Sequence, residues 1–195
     1  DKFSRDWQMT KLTVAVFSYN RSEYLAYCLA SIERNMPQAR VVVYDDLSDD
    51  PETAAFLSNL SVPVVQPTLV EKARHGGLYT NMATAFAEVD TDYLMFLQDD
   101  MQIVRPVESS DIDALDMIFA SDPDCGFVSP QFMKAGLTAK LRAHYRADPD
   151  LRAYVFSNEI SREAMGFAFS DVCIAHVPRL RAAGFAILQG EDKNE

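Results

Sequence analysis

Polar residues able to do chemistry follow three apolar segments of this 195-residue chain. They are Ser18-Tyr19-Asn20-Arg21, Asp45-Asp46 and Asp99-Asp100. Two adjacent carboxylates after a buried strand repel each other and lose hydration, so they need a positive partner. A hard cation such as Mg²⁺ or Mn²⁺ supplies one, and it binds one or two carboxylates together with the phosphates of a ligand. The acid pairs therefore indicate a cation site, with helix capping and solvated surface acids as the open alternatives.

The three segments before these residues have the length and composition of buried strands. Leu12–Phe17, Val41–Tyr44 and Tyr93–Leu97 are uninterrupted apolar runs, which is typical of strands covered on both faces. Helical spacing follows the first of them, with Ser22 as the expected N-cap. Further helices are predicted over 51–60, 78–89, 111–120 and from 178, and further strands over 62–65, 126–129 and 172–176.

This alternation predicts an α/β fold with a mostly parallel sheet. Ligands of such sheets bind beyond the carboxyl ends of the strands, so the three polar motifs are expected to meet in one crevice. Residues 1–10 are interpreted as a lead-in and 11–195 as one domain. Within that domain, 133–165 has no clean period and is expected to be an insertion on the open side of the sheet.

Charge and composition exclude several classes of function. Lys and Arg number 18 against 29 Asp and Glu, a net charge of −11 that argues against nucleic-acid binding. No apolar run has the roughly 20 residues of a membrane-spanning helix. Three scattered cysteines without metal spacing predict unpaired thiols in a reducing compartment. A cytoplasmic location is therefore expected, with membrane association left to regions outside this chain.

Over residues 12–101 the order and spacing of the motifs resemble the family 2 glycosyltransferases of the GT-A fold, a Rossmann-like three-layer α/β/α architecture. The matching stretches are VAVFSYNRSEYLAYCLASI, VVVYDDLSDDPET and HGGLYTNMATAFAEVDTDYLMFLQDD. The resemblance implies a nucleotide-binding part at 11–101 and an acceptor-side part at 102–195. Because the family's acceptor half normally continues further, the chain is expected to be truncated or one domain of a longer protein.

The resemblance also implies a role for each polar position. Ser18, Tyr19 and Asp46, with Asp45 beside it, would hold the base of a nucleotide sugar, and the chemistry suits uracil. Arg74 and His75 would contact the diphosphate. Asp99 would contact the ribose and the divalent metal, Mn²⁺ or Mg²⁺, and Asp100 would bind the same metal.

Near the C-terminus, CIAHVPRLRAAGFAILQGEDKNE resembles the family's run that ends in an acidic "E-D". In inverting members the Asp of that pair is the general base for the acceptor hydroxyl. The resemblance therefore implies Asp192 as the base, with Glu191 second, and an exposed acidic tail is the alternative. The partners implied are a nucleotide-sugar donor, expected to be UDP-linked, and an unidentified hydroxyl on a glycan, lipid or protein.

Departures from the family pattern leave other functions open. Leu47 replaces a common Gly, and Asp99-Asp100 is a pair rather than a full D-x-D. A catalytically degenerate domain that binds nucleotide or acts as a scaffold is therefore the alternative. A haloacid-dehalogenase-type phosphotransferase would need D-x-D after its first strand, and a sugar nucleotidyltransferase a Gly-rich loop there. The sequence has neither.

Overall fold

The computed structural model describes residues 11–70, 77–131, 145–156 and 172–188, and its centre is a six-stranded sheet. The strands are β1 (Leu12–Ser18), β2 (Arg40–Asp45), β3 (Val64–Val65), β4 (Tyr93–Gln98), β5 (Phe127–Val128) and β8 (Val172–His176), and a separate hairpin is formed by β6 (Tyr145–Asp148) and β7 (Ala153–Phe156). The helices are α1 (Ser22–Asn35), α2 (Pro51–Ser58), α3 (Leu78–Glu88), α4 (Ser109–Ser121) and α5 (Val177–Ala182).

The strand order is β3-β2-β1-β4-β8-β5. The first four strands are parallel, whereas β8 runs antiparallel to both β4 and β5. β1 lies at the centre of the parallel part, and all seven of its residues are buried. This arrangement confirms the predicted α/β class with a mostly parallel sheet.

Alternate residues of the central strands pack against helices on opposite faces of the sheet. Leu12, Val14 and Val16 of β1 belong to a core that also contains residues of α1, α2 and α4. Ala15 and Phe17 belong to a second core, which contains residues of α3 and α5. Because successive side chains of a strand point to opposite faces, one buried strand connects both cores. The expected three layers, α/β/α, are therefore confirmed.

Two arginines of α5 fasten helices on both faces. The last carbonyls of a helix have no partner within that helix. Arg179 donates hydrogen bonds of 2.8, 2.6 and 3.0 Å to three carbonyls at and after the end of α4. Arg181 donates hydrogen bonds of 2.7, 3.1 and 2.8 Å to three carbonyls at and after the end of α3. The short helix α5 thus joins both outer layers.

Several sequence predictions about the elements differ from the structure. α1 begins at Ser22 itself and its N-cap is Arg21, so the prediction of Ser22 as the cap is wrong by one residue. Two strands are shorter than predicted, since β3 spans only Val64–Val65 instead of 62–65 and β5 only Phe127–Val128 instead of 126–129. The β6–β7 hairpin lies in the region for which no element was predicted, and the rest of 133–165 lies partly outside the described residues, as does the lead-in 1–10.

Within the described stretches, none of the helices is long and apolar enough to cross a membrane. Cys28 and Cys173 are buried, Cys125 is half-buried, and none of the three forms a disulfide bond, as the sequence predicts. Burial raises the pKa of Cys28 to about 12, with the negative charges of Asp99 and Asp100 adding to the effect. These thiols therefore stay protonated at neutral pH.

Candidate functional site

The three polar motifs meet at the C-terminal edge of the parallel strands. Ser18 pairs in register with Asp45 of β2. The backbone N–H of Asp46 donates to the Ser18 carbonyl at 3.0 Å, and that of Asp99 donates to the Phe17 carbonyl at 3.0 Å. The prediction that the motifs share one edge of the sheet is therefore confirmed.

Asn20 joins the loop after β1 to the loop after β2. Its φ of 51° is left-handed, a conformation that Asn adopts more readily than most residues. Its side-chain oxygen accepts from the backbone N–H groups of Asp49 and Asp50, at 2.9 and 3.0 Å. Its backbone N–H donates to Ser48 Oγ at 2.9 Å. One side chain thereby fixes the relative position of two loops of the site.

Asp45 holds the loop after β2 from inside. Its carboxylate is fully buried, with 0% of the residue exposed. It accepts from the Ser48 N–H at 2.8 Å, the Ser48 hydroxyl at 2.5 Å and Gln66 Nε2 at 2.8 Å. The loop turns at Leu47, whose φ of 54° is left-handed. Glycine adopts this conformation most easily, which agrees with the Gly that Leu47 replaces in the family pattern. The Asp45 carboxylate is thus engaged by the loop itself.

Asp46 connects the end of β2 to the beginning of α3. Its Oδ1 accepts from the Gly77 N–H at 3.0 Å. Gly77 is the N-cap of α3 and has φ 106° and ψ 178°, a conformation almost confined to glycine. A carboxylate at a helix N-terminus is favoured by the helix dipole. Asp46, only half-buried, therefore lies where a loop and a helix start converge.

Asp99 and Asp100 form the acid pair at the end of β4, and Arg21 lies against both. Arg21 Nη1 is 3.4 Å from Asp99 Oδ1 and 3.5 Å from Asp100 Oδ2. Asp99 is buried at 4% exposure, whereas Asp100 is exposed. Burial raises the pKa of Asp99, Arg21 opposes that shift, and the charge of Asp100 adds to it. The buried carboxylate is thus only partly compensated.

Two buried polar atoms at this edge have no hydrogen-bond partner among the residues that the structure describes. They are Ser18 Oγ, at the last residue of β1, and Asp99 Oδ2, at the first residue after the adjacent strand β4. An unsatisfied buried polar group costs about 1–3 kcal/mol, so such atoms are rare away from ligand sites. Their juxtaposition indicates that this edge is shaped to receive a ligand.

The acid pair fits a divalent cation bound together with a phosphate ligand. Asp99 Oδ2 is a free carboxylate oxygen, and Asp100 offers a second, exposed carboxylate. No group of three or more metal-binding side chains occurs in the described part of the chain. Magnesium-type ions often take one or two carboxylates and complete their shell with water and phosphate oxygens. These residues could hold such an ion with the ligand supplying the rest.

Two cavities lie at opposite edges of the sheet. The larger, about 570 Å³, lies at the N-terminal ends of the parallel strands, where Arg40 pairs with Asp90. The smaller, about 370 Å³, is lined by Leu47, Ser48 and Gln66 beside the polar motifs. We assign the site to the C-terminal edge, because the unpartnered polar atoms lie there, whereas Arg40 and Asp90 of the larger cavity pair with each other.

The structure brings together most of the site residues predicted from the sequence. At the C-terminal edge lie Ser18, Tyr19 (44% exposed), Asp45, Asp46, Asp99 and Asp100. Outside the described residues lie Arg74, His75, Glu191 and Asp192. Sequence reasoning missed the roles of Arg21, Asn20 and Gly77. The signal for Arg21 was its place directly after a polar turn and before a helix.

Residues 13–106 match the sequence model of a known family, described as "Glycosyl transferase family 2". No curated protein sequence gives a significant match.

Solved structures resemble the chain at low identity. The mannosyltransferase PcManGT from Pyrobaculum calidifontis, in complex with GDP-Man and Mn²⁺, is 18% identical, with a TM-score of 0.58 over 90% of this chain and 47% of its own. S. aureus TarS 1-349 in complex with UDP is 14% identical, with a TM-score of 0.56 over 91% and 50%. A cytidylyltransferase from Leptospira borgpetersenii is 14% identical, with a TM-score of 0.51 over 95% and 68%. The chain thus spans about half the length of the first two, and the likeness confirms the expected fold.

Proposed function

Since this chain belongs to glycosyl transferase family 2 over residues 13–106, we propose that it transfers a sugar from a nucleotide-sugar donor to an acceptor hydroxyl. The observation that carries the proposal is the edge where β1, β2 and β4 end. Three polar motifs meet there, and two buried polar atoms, Ser18 Oγ and Asp99 Oδ2, have no partner among the described residues. A donor bound across this edge would satisfy them.

The nucleoside of the donor lies, in this proposal, across the ends of β1 and β2. Tyr19 is exposed at the rim and offers a ring on which a base can stack. Asp46 and Ser18 offer a carboxylate and a hydroxyl to the base and ribose. Asp45 contributes by holding the loop, since its own oxygens are taken by Ser48 and Gln66. A uracil N–H suits a carboxylate acceptor, so UDP is the proposed nucleotide.

The diphosphate of the donor lies at the acid pair. Asp99 would contact the ribose and bind Mn²⁺ or Mg²⁺, and the exposed Asp100 would bind the same ion. A divalent ion there supplies Lewis-acid stabilisation to the departing diphosphate. Arg74 and His75 are proposed as further cationic contacts to the phosphates, as the family resemblance implies.

The acceptor is activated, in this proposal, by Asp192, with Glu191 second. A positioned general base takes the proton of the acceptor hydroxyl as the sugar is transferred with inversion, and it contributes about 10²–10⁴-fold to the rate. Residues just after α5 are anchored, because Gly184 turns the chain with φ 71° and Phe185 packs edge-on against Phe86. The acceptor class is a hydroxyl of a glycan, lipid or protein. Three cysteines that form no disulfide bond suit a reducing compartment such as the cytoplasm.

A nucleotide-binding module without turnover is the second candidate, and the acid pair favours it. Two carboxylates rather than a full D-x-D are present, and one cation, Arg21, already contacts both. A nucleotidyltransferase has less support, although a cytidylyltransferase shares the fold, because the loop from β1 to α1 contains no glycine to cradle a triphosphate. Hydrolysis or transfer of a UDP-sugar would distinguish turnover from binding alone.

Calorimetric titration of UDP and GDP, each with and without Mn²⁺, tests the proposal. We expect one nucleotide to bind only with the metal, and Asp100→Asn to abolish that binding. Asp113→Asn, the same chemical change on the exposed face of α4, serves as the matched control and should bind like the wild type. If neither nucleotide binds under any condition, the glycosyltransferase proposal is wrong.

A further inference from the structure

A single nitrogen of Arg21 reaches both members of the acid pair. Nη1 lies 3.4 Å from Asp99 Oδ1 and 3.5 Å from Asp100 Oδ2. Arg21 is also the N-cap of α1, and the preceding residue, Asn20, is fixed by its hydrogen bonds to the loop after β2. The backbone that carries the guanidinium is therefore fixed beside the carboxylates.

Electrostatic repulsion disfavours a guanidinium and a divalent ion bound to the same carboxylate oxygens at the same time. Two carboxylates and one guanidinium sum to −1. A divalent ion bound by the same two carboxylates would bring the sum to +1 and place two cations a few ångströms apart, where like charges repel strongly. A diphosphate carries the negative charge that would restore the balance. Metal without nucleotide is therefore disfavoured here.

We propose that Arg21 is the resident counter-cation of the acid pair and competes with the divalent ion for Asp99 and Asp100. The inference rests on the proposed function, because it assumes that the pair is the metal site of a nucleotide-binding edge. Metal entry then requires the guanidinium to leave the carboxylates, and the incoming diphosphate supplies the anion with which it can pair. Metal and nucleotide consequently raise each other's affinity by the same factor.

The exposure of the two partners supports an exchange rather than a fixed structural bridge. The Arg21 side chain is 52% exposed, so its withdrawal uncovers little buried surface. Asp99 remains buried, and its Oδ2 is left without a partner even while Arg21 is present. A bridge serving stability alone would be expected to satisfy both oxygens of the buried carboxylate. Here the buried acid keeps one oxygen for another ligand.

Titration of Mn²⁺ without nucleotide, followed by the electron paramagnetic resonance signal of the free ion, tests the competition. Arg21→Gln removes the charge and keeps a polar side chain, and it should bind Mn²⁺ about tenfold more tightly than the wild type. That factor corresponds to about 1.4 kcal/mol, the scale of one or two part-exposed ion pairs. Arg21→Lys keeps the charge with fewer donors and should give an intermediate affinity.

Arg34→Gln is the matched control. It makes the same charge change in the last turn of the same helix, about 20 Å from Arg21 along the axis, and should alter Mn²⁺ affinity by less than twofold. UDP should raise Mn²⁺ affinity less in Arg21→Gln than in the wild type. Thermal unfolding in EDTA checks that every variant folds, and Arg21→Gln should melt slightly below the wild type.

The outcomes separate this inference from the proposed function. Equal Mn²⁺ affinity in Arg21→Gln and the wild type, equal gains in Arg21→Gln and Arg34→Gln, or no Mn²⁺ binding by either would each overturn the competition. A tighter Mn²⁺ site in Arg21→Gln alone supports it, even if no nucleotide binds. If no nucleotide binds, the proposed function fails while the role of Arg21 stands. If nucleotide binds with Mn²⁺ but Arg21→Gln binds Mn²⁺ like the wild type, the proposed function stands and the competition fails.

Discussion

Replacing Asp45 tests whether a buried carboxylate holds the loop that carries Asp46. Asp45 is fully buried, and its two oxygens accept from the Ser48 N–H, the Ser48 hydroxyl and Gln66 Nε2. The informative pair of variants is Asp45→Ala, which removes every acceptor, and Asp45→Asn, which keeps the shape and one acceptor oxygen.

The expected magnitudes follow from the fate of each donor. In Asp45→Ala the N–H of the half-buried Ser48 loses its acceptor, the Ser48 hydroxyl must find another, and the exposed Gln66 can turn to water. At about 1–3 kcal/mol for each donor left unsatisfied, the free energy of unfolding should fall by about 2–4 kcal/mol. In Asp45→Asn the amide oxygen can keep the Ser48 N–H, so the loss should be about 1 kcal/mol, mainly the charge assistance.

Urea unfolding followed by circular dichroism measures both variants, and calorimetry with UDP and Mn²⁺ measures the site. For a chain of this length, 1 kcal/mol corresponds to about 2–4 °C in melting temperature, so Asp45→Ala should melt about 5–15 °C lower. Asp45→Asn should keep most of the nucleotide affinity. A role of Asp45 in holding the loop is excluded if Asp45→Ala is as stable as the wild type, or if the two variants are equally destabilised.

Four further substitutions have expected outcomes. Gly77→Ala should lower the free energy of unfolding by about 1–3 kcal/mol, because φ 106° with ψ 178° is strained for alanine, although nothing lies near the added Cβ. Urea unfolding measures the change, and an unchanged midpoint would contradict the prediction. Arg179→Met and Arg181→Met should each lower the free energy of unfolding by about 1–3 kcal/mol, because each leaves helix-end carbonyls without donors. In hydrogen exchange, Arg179→Met should reduce amide protection mainly in α4 and Arg181→Met mainly in α3. Asp111→Asn should cost about 0.5–1 kcal/mol at pH 7 by removing the two-point pair with Arg105. Arg105 lowers the pKa of Asp111 in the folded protein. The stabilisation by the pair is therefore complete above the pKa that Asp111 has in the unfolded chain, and it is lost as the pH falls through its pKa in the folded protein. The stability difference between Asp111→Asn and the wild type should vanish in acid.

The strands that carry the site were predictable because their sequences leave one choice. Leu12–Phe17 and Tyr93–Leu97 contain no charged residue and are almost entirely apolar, which is typical of a strand buried on both faces. The acids mark where each strand leaves the core. From this, the convergence of the motifs follows from the geometry of parallel sheets alone.

The contacts between loops were not predictable from local pattern. Arg21 meets Asp99 across 78 positions of sequence, and Asn20 meets Asp49 across 29. Neither pairing has a periodic signal, since each depends on which strands become neighbours. The Ser22 cap was misplaced for the same reason, because the left-handed turn at Asn20 is stabilised by the β2 loop rather than by its own sequence.

The β6–β7 hairpin was missed for a different reason. Its strands, YRAD and AYVF, are four residues each, too short for an alternating pattern to stand out. The turn signal was present in Asp148-Pro149-Asp150, where the Leu151 N–H donates to Asp148 Oδ1 at 3.1 Å. Flanking charges obscured it.

Paramagnetic broadening of amide signals tests most directly whether the donor site lies at the C-terminal edge of the strands. Labelled protein with UDP would receive substoichiometric Mn²⁺, with Mg²⁺ as the diamagnetic reference. A donor site at the C-terminal edge predicts loss of the signals of Tyr19, Gly77 and Asp100, while the signal of Thr91, about 20 Å away at the opposite edge, stays sharp. Broadening confined to Thr91 and the cavity around Arg40 would contradict it and move the site to the other end of the sheet.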